Sequence, residues 1–293
     1  MRRNVLLLVP YLSNRSAKGV LSALKQQQPN VSVTVLNTSS KQESPRAPYA
    51  EGDCFWVGHE SLGAVVRSIV AEREIDLIVP TKDPLVRFCV TELPELRAKF
   101  LLPARDVVLA LQDKLATYQL FAGCSEVRIP EFHEASPANA DRVKSMLARS
   151  GEGFQKPRIA SSGAGVKRIA RIEDVDWRSD SVVCQPLLMP EYNQTFLLRG
   201  GAIRGGVTYR SSRQICSPTD DVEKVSDLVE GRVAMRFLRE AFGSDLEGVF
   251  NLDFMRNEDG WLILNEINPG RFPAGIHKLA GNFGDLVAEL LWD

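Results

Sequence analysis

GVFNLDFMRNEDGWLILNEINPGRF, residues Gly248–Phe272, sets two strongly apolar runs on either side of a turn and interrupts each with a carboxylate. VFNLDF and WLILNEIN are rich in β-branched and aromatic residues, and RNEDG between them is a turn cluster ending at Gly260. Two such runs across a short Asn/Asp/Gly loop predict an antiparallel hairpin. Asp253 and Glu266 lie at similar distances from that turn, so cross-strand pairing brings them together on one face. Alternation from Glu266 puts Asn268 on the same face. Two carboxylates and an amide oxygen repel one another unless a cation lies between them. All are hard oxygen donors, which suit magnesium or manganese rather than zinc. A wet hairpin face, on which acidic residues are ordinary, is the competing reading of the same spacing.

Working outward, the first hundred residues alternate between strand and helix patterns. NVLLLVP, VSVTVLNTS and IDLIVPT read as strands; SAKGVLSALKQQQ and ESLGAVVRSIVAERE read as helices, with Leu62, Val65, Val66, Ile69 and Val70 at helical spacing. Continuous apolar strands separated by helices imply a parallel sheet covered on its faces. The polar segment SSKQESPRAPYAEGD between them reads as a loop. No GxGxxG follows the first strand, which excludes a dinucleotide fingerprint.

A second region opens near Pro103. RDVVLALQDKLATYQLFAGC is helical, with Asp113 placed to cap a helix and Gly123 to stop it. EFHEASPANADRVKSMLARSG reads as a loop and a helix, and SVVCQPLLMPEYNQTFLLRGGAIRGGVTYRS as strands with Gly-Gly turns. DDVEKVSDLVEGRVAMRFLREAFG reads as one long amphipathic helix, opened by acidic residues and closed by Gly243.

FQKPRIASSGAGVKRIARI reads as strand, Gly/Ser loop, strand. That placement excludes a P-loop, whose glycines feed a helix N-terminus. A loop at a hairpin tip can instead fold over phosphates and donate backbone N–H groups, or be an ordinary turn. Lys156 lies in the apolar strand entering this loop, where a cation is costly unless an anion or acceptor meets it. Lys114 stands at a helix start, against the dipole, which is unfavourable unless an anion is nearby; a solvated lysine is the plainer alternative there. Two lysines, a phosphate-sized glycine loop and a carboxylate–amide cation site are the parts that phosphoryl transfer requires.

The order of these motifs resembles the ATP-grasp superfamily, and within it the carbamoyl-phosphate-synthase-like and carboxylate–amine ligase members. The resemblance spans most of the chain: the alternating N-terminal region, the Asp-Lys helix start, the Lys-Pro strand before a small-residue loop, a hinge strand, and the closing LDF…NEINPGRF. It implies an α/β ATP-grasp fold. An N-terminal doubly wound parallel-sheet domain (1–104) would be followed by a subdomain with a glycine-rich flap (105–184) and a subdomain with the metal site (185–293). By motif, Lys114 and Lys156 would contact ATP phosphates, Lys156 also approaching the adenine. Ser161, Ser162, Gly163 and Gly165 would form the flap. Backbone groups around Gln185 and Leu187 would hold the adenine, and Glu191 the ribose hydroxyls. Asp253, Glu266 and Asn268 match the ligands of Mg2+ (or Mn2+). Arg271 and Arg213 would clamp an acyl phosphate or a substrate carboxylate. Two positions depart from the pattern. Gln185 stands where many members have Glu, and the usual N-P-R becomes Asn268-Pro269-Gly270-Arg271, which displaces the arginine by one residue.

The activity so implied is ATP-dependent ligation of a small, amino-acid-like carboxylate to an amine or another nucleophile, through an acyl phosphate and with release of ADP. A phosphotransferase, or a catalytically silent nucleotide-binding regulator, are the alternatives. A formal charge of −1 removes any electrostatic case for nucleic acid or an anionic membrane. Five scattered cysteines without a CxxC imply reduced thiols and a cytoplasmic setting. The start, MRRNVLLLVPYLS, imitates a signal peptide, but its apolar run ends at Pro10 and reads as a first buried strand. No run reaches transmembrane length. A homodimer is compatible with the resemblance.

Overall fold

Along the first strand, β1 (Arg3–Val9), every side chain from Val5 to Val9 is buried, and successive ones enter opposite layers. The computed structural model describes the chain apart from residues 1, 13, 27–29, 40–53, 58–60, 161–162, 178–179, 212–221, 274–275, 277–278 and 293. β1 pairs in parallel with β2 (Val31–Asn37) and β4 (Leu77–Pro80), and β2 with a short β3 (Cys54–Trp56), giving the order β3-β2-β1-β4. Val5, Leu7 and Val9 pack in a core with α1 (Arg15–Gln26) and the last helix, α8 (Ala280–Trp292). Leu6 and Leu8 pack with α2 (Leu62–Glu72) and α3 (Asp83–Glu92). The doubly wound parallel sheet expected from the alternation is present. The polar loop read at SSKQESPRAPYAEGD lies almost wholly outside the described residues, and β3, only three residues long, closes the sheet just beyond it.

Two antiparallel sheets follow. The first has the order β5-β8-β6-β7, from β5 (Phe132–Glu134), β6 (Gly153–Pro157), β7 (Lys167–Ile169) and β8 (Ser181–Cys184). Val143, Met146 and Leu147 of α6 (Ala140–Ser150) cover it. Ahead of it, the predicted helical segment breaks at Asp113 into α4 (Arg105–Gln112) and α5 (Lys114–Phe121). The Asp113 carboxylate accepts the Leu115 and Ala116 N–H groups, so it caps α5 as expected. β5 lies in a segment that the sequence pattern reads as loop, and it is a strand through its pairing with β8.

The second antiparallel sheet has the order β11-β10-β9-β12-β13: β9 (Leu188–Arg199), β10 (Ala202–Ser211), β11 (Val222–Lys224), β12 (Gly248–Arg256) and β13 (Leu262–Pro269). One face packs on α7 (Val229–Phe242) through Phe196, Leu198, Phe250, Leu252, Ala234, Met235 and Leu238. Here the sequence reading is corrected: the helix begins at Val229, and Val222–Lys224 is an edge strand on β10. Arg210 and Glu223 face each other in that pairing with Nη2–Oε2 at 2.6 Å, and Thr208 Oγ1 donates to Asp227 at 2.9 Å. These tertiary partners hold the acidic segment extended, where its charge pattern by itself suits a helix start. Among the described residues no helix is long and apolar enough to cross a membrane.

Candidate nucleotide and cation site

The hairpin register is the one the opening stretch implies. Asp253 pairs with Glu266 and Asn251 with Asn268. On the neighbouring strand Asn193 lies opposite Asp253, and Thr195 opposite Asn251. The face turned away from α7 thus carries two rows of polar side chains, Asn193–Asp253–Glu266 and Thr195–Asn251–Asn268. Asn251 Nδ2 donates to Asp253 Oδ1 at 2.5 Å, and Asn268 Nδ2 to Asp253 Oδ2 at 3.0 Å. Thr195 Oγ1 donates to Asn251 Oδ1 at 3.0 Å. Asn193, Thr195, Asn251, Asp253 and Asn268 are all buried. This is not the wet hairpin face of the competing reading.

Two lysines reach the same place from other elements. Lys114, at the start of α5, is buried rather than solvated; its Nζ donates to Ala160 O at 3.1 Å and lies 3.5 Å from Glu266 Oε1. Lys156, on β6, donates to Asn265 Oδ1 at 2.8 Å. Both cations therefore find the acceptors that their awkward positions require. Tyr118, fully buried on α5, donates to Asn265 O at 2.7 Å and ties that helix to the hairpin.

Gly270 explains the displaced arginine. It ends β13 with φ of 84°, a left-handed conformation that favours glycine, and a Cβ there would lie 2.6 Å from Val86 Cγ1. The turn delivers Arg271 to Asp83, at the junction of β4 and α3. Arg271 Nε donates to Asp83 Oδ1 at 2.5 Å and Nη2 to Asp83 Oδ2 at 2.9 Å. The same Nη2 donates to Asn268 Oδ1 at 3.0 Å. Burial opposes the Arg271 charge, but Asp83, Asp253 and Glu266 outweigh it and hold the guanidinium above its ordinary range. The reverse holds for Lys82, lowered by burial and by the Arg271 cation beside it.

Negative charge is crowded in the centre. Burial, then Glu191 and Glu266, push the Asp253 carboxyl well above the usual carboxylate range. Glu191 is also raised, by burial and by Glu266, against a 2.9 Å hydrogen bond from Asn193. Acids raised by one another are relieved by a cation among them. No group of three or more His, Cys, Asp or Glu side chains forms a metal centre among the described residues. The donors present are the mixed set of Asp253, Glu266 and the Asn268 amide, whose oxygen already accepts from Arg271; their hard oxygen chemistry is the kind that fits a divalent ion of the magnesium type.

Of the remaining predicted positions, Gln185 and Leu187 lie in the connection between β8 and β9, where a hinge was expected. Gln185 Oε1 accepts the Glu131 N–H at 3.2 Å, which ties this connection to the segment ahead of β5. Gly163 and Gly165 lie in the β6–β7 connection with φ of 71° and 74°. Ser161, Ser162 and Arg213 lie outside the described residues. Five site residues escaped the sequence reading: Asp83, Asn193, Thr195, Asn251 and Asn265. Asn251 and Asn265 carried a legible signal, an amide inside an apolar run (VFNLDF and WLILNEIN); Asp83 and Asn193, the latter among polar neighbours in EYNQT, carried none.

No protein-family model matches the chain, and no curated protein does. Solved structures do match. The biotin carboxylase domain of Hydrogenobacter thermophilus 2-oxoglutarate carboxylase, a dimer with MgADP, ADP and bicarbonate, aligns with a TM-score of 0.70 at 13% identity, covering 100% of this chain and 70% of that one. An L-amino acid ligase from Bacillus licheniformis aligns at 0.66 and 17% identity, covering 98% and 73%. D-alanyl-alanine synthetase A from Vibrio cholerae aligns at 0.62 and 14%, covering 98% and 97%. The chain has the ATP-grasp fold.

Proposed function

We propose that the chain is an ATP-dependent carboxylate–amine ligase that works through an acyl phosphate. The observation that carries this reading is the meeting of Lys114 and Lys156, from separate elements, with Glu266 and Asn265 of one hairpin. Names such as ligase, synthetase and carboxylase among the matching structures support it, as does the MgADP in one of them.

In this reading Lys114 and Lys156 bind the triphosphate, beneath a flap formed by Ser161, Ser162, Gly163 and Gly165. Backbone groups near Gln185 and Leu187 hold the base, and Glu191 the ribose. Asp253, Glu266 and Asn268 would hold Mg2+ (or Mn2+), which supplies charge neutralisation at the phosphates when bound. A substrate carboxylate oxygen forms a bond to the γ-phosphorus while the bond to the bridging oxygen breaks and ADP leaves. The amine then attacks the acyl carbon, inorganic phosphate departs, and the amine proton passes to solvent. Arg271, fixed by Asp83, and Arg213 hold the anionic acyl group. Positioning and charge neutralisation do this work without a protein nucleophile.

The test is ATP consumption across a panel of amino acids offered as carboxylate and as amine. ADP released only when both are present supports the ligase. A stable phosphate ester of one substrate makes the chain a kinase, and nucleotide binding without turnover makes it a regulator. Glu266→Gln is expected to abolish magnesium-dependent turnover while folding stays nearly intact; an unchanged rate removes Glu266 from its role.

A further inference from the structure

Asn265 occupies a position that alternation alone does not predict. Asp253 pairs with Glu266, yet the next residue of β12, Phe254, pairs with Leu264. Asn265 is therefore the extra residue of a β-bulge in β13. In a regular strand it would face away from Glu266, toward the apolar side that carries Leu264 and Ile267. A bulge lifts one residue out of the ladder and re-aims it. Here the side chain meets Lys156 Nζ at 2.8 Å, while the carbonyl accepts the Tyr118 hydroxyl at 2.7 Å.

The chemistry of that partner matters. Lys114 is anchored on a carboxylate, Glu266, which offsets its charge. Lys156 is anchored on a neutral amide, and it forms no ion pair among the described residues. Its charge is close enough to be felt at Glu191 and Cys184. An aspartate is nearly isosteric with asparagine and would hold the ammonium more tightly. It would also cancel the charge.

We propose that Asn265 is a positioning residue: lifted from the ladder by the bulge, its neutral amide holds the Lys156 ammonium in the site and leaves its charge for a ligand anion. The anion is the triphosphate, so the inference rests on the ligase reading for its ligand and on the hairpin geometry for its mechanism. One lysine is balanced by the protein and the other is kept for the nucleotide.

The experiment compares the full chain with Asn265→Ala and Asn265→Asp, using Asn265→Ser as a second truncation should the alanine variant unfold. Two quantities are read: affinity for a fluorescent ATP analogue with magnesium, and acylation of Lys156 by an amine reagent, quantified by mass spectrometry against Lys114. Truncation is expected to raise Lys156 labelling severalfold and weaken the analogue about fivefold, the scale of one lost hydrogen bond of ordinary net strength. The aspartate variant is expected to keep labelling low yet weaken the analogue by about tenfold or more, because the cation is held but neutralised. A purely structural asparagine predicts the opposite order, with aspartate the mildest change. Aspartate binding as well as the wild type overturns the charge argument, and unchanged labelling in the truncations overturns the tether. If the wild type binds no nucleotide, the ATP reading falls by itself and labelling still decides whether Asn265 holds Lys156.

Discussion

The five-stranded sheet buries both of its faces; the one turned from α7 is apolar at Leu197, Val207, Tyr209 and Val249, and elsewhere its chemistry is opposite to that of the α7 side. Toward α7 it presents Phe196, Leu198, Phe250, Leu252, Phe254, Leu264 and Ile267, an ordinary apolar layer. On the other side, the same strands bury Asn193, Thr195, Asn251, Asp253 and Asn268. Both sets follow one rule, the two-residue alternation of a strand. Only the first is arranged for stability. Buried carboxylates and amides give up hydration and regain it only in part through hydrogen bonds, so well-packed hydrophobic residues of like volume hold a fold at least as well. In the proposed function the polar face is organised around a charge that comes from outside the chain, and the apolar face around the chain itself.

That contrast breaks if the two faces respond alike to substitution. Asp253→Asn should lower kcat at least about 100-fold, the scale for losing one electrostatic contributor in an active site. Its thermal midpoint should stay level or rise, because an acid that burial and its neighbours already disfavour as an anion is gone. An active variant, or an unfolded one, ends the division of labour. Phe250→Ala, on the opposite face of the same strand, should cost about 3–5 kcal/mol in a denaturant titration. Below its lowered transition it should leave the KM for ATP unchanged.

Gly270→Ala probes the point where the polar face meets the N-terminal sheet. A methyl group in a left-handed conformation, 2.6 Å from Val86 Cγ1, should cost about 1–3 kcal/mol. The KM for the carboxylate substrate should rise as well, because the turn that seats Arg271 on Asp83 is disturbed; a purely thermal effect would separate Arg271 from substrate binding.

The smallest effect concerns Asp113, which caps α5 and binds Arg158, Nη2 to Oδ2 at 2.5 Å. Burial raises its affinity for a proton, but Arg158 and the capping N–H groups outweigh that and leave it below its ordinary value. The unfolded chain therefore binds this proton more readily than the folded one. The contribution to stability is complete above the unfolded-state value and is lost as pH falls through the folded-state value. Asp113→Asn keeps a cap acceptor and should flatten the acid limb of a stability–pH profile; an unaltered limb removes Asp113 from it.

The pattern of legible and illegible elements follows from range. The hairpin, the Asp113 cap and the alternating N-terminal strands were readable because each signal lies within about a dozen residues. The three-residue strands β3, β5 and β11 were not: β3 and β5 exist only by pairing with strands well separated in the chain, and β11, next to β10, is too short to show a period. The acidic segment before α7 reads as a helix opening, but its charges are used by Thr208 and Arg210 of the neighbouring strand instead. Among the candidate site residues, Asp253, Glu266, Asn268 and Lys156 were legible as polar residues in or beside apolar runs, and Lys114 as a cation at a helix start. Asp83 was not, because an aspartate opening a helix is commonplace and its partner lies at the opposite end of the chain.

The amino-acid sequence by itself determined the strand periods, the hairpin register at Asp253 and Glu266, and the set of charged groups available for chemistry, since these rest on local geometry. Tertiary structure alone decided that Lys114 meets Glu266 while Lys156 meets Asn265, and that Arg271 closes on Asp83. A bulge, a left-handed glycine and the docking of separate sheets set those contacts, and each depends on backbone positions that no local pattern encodes.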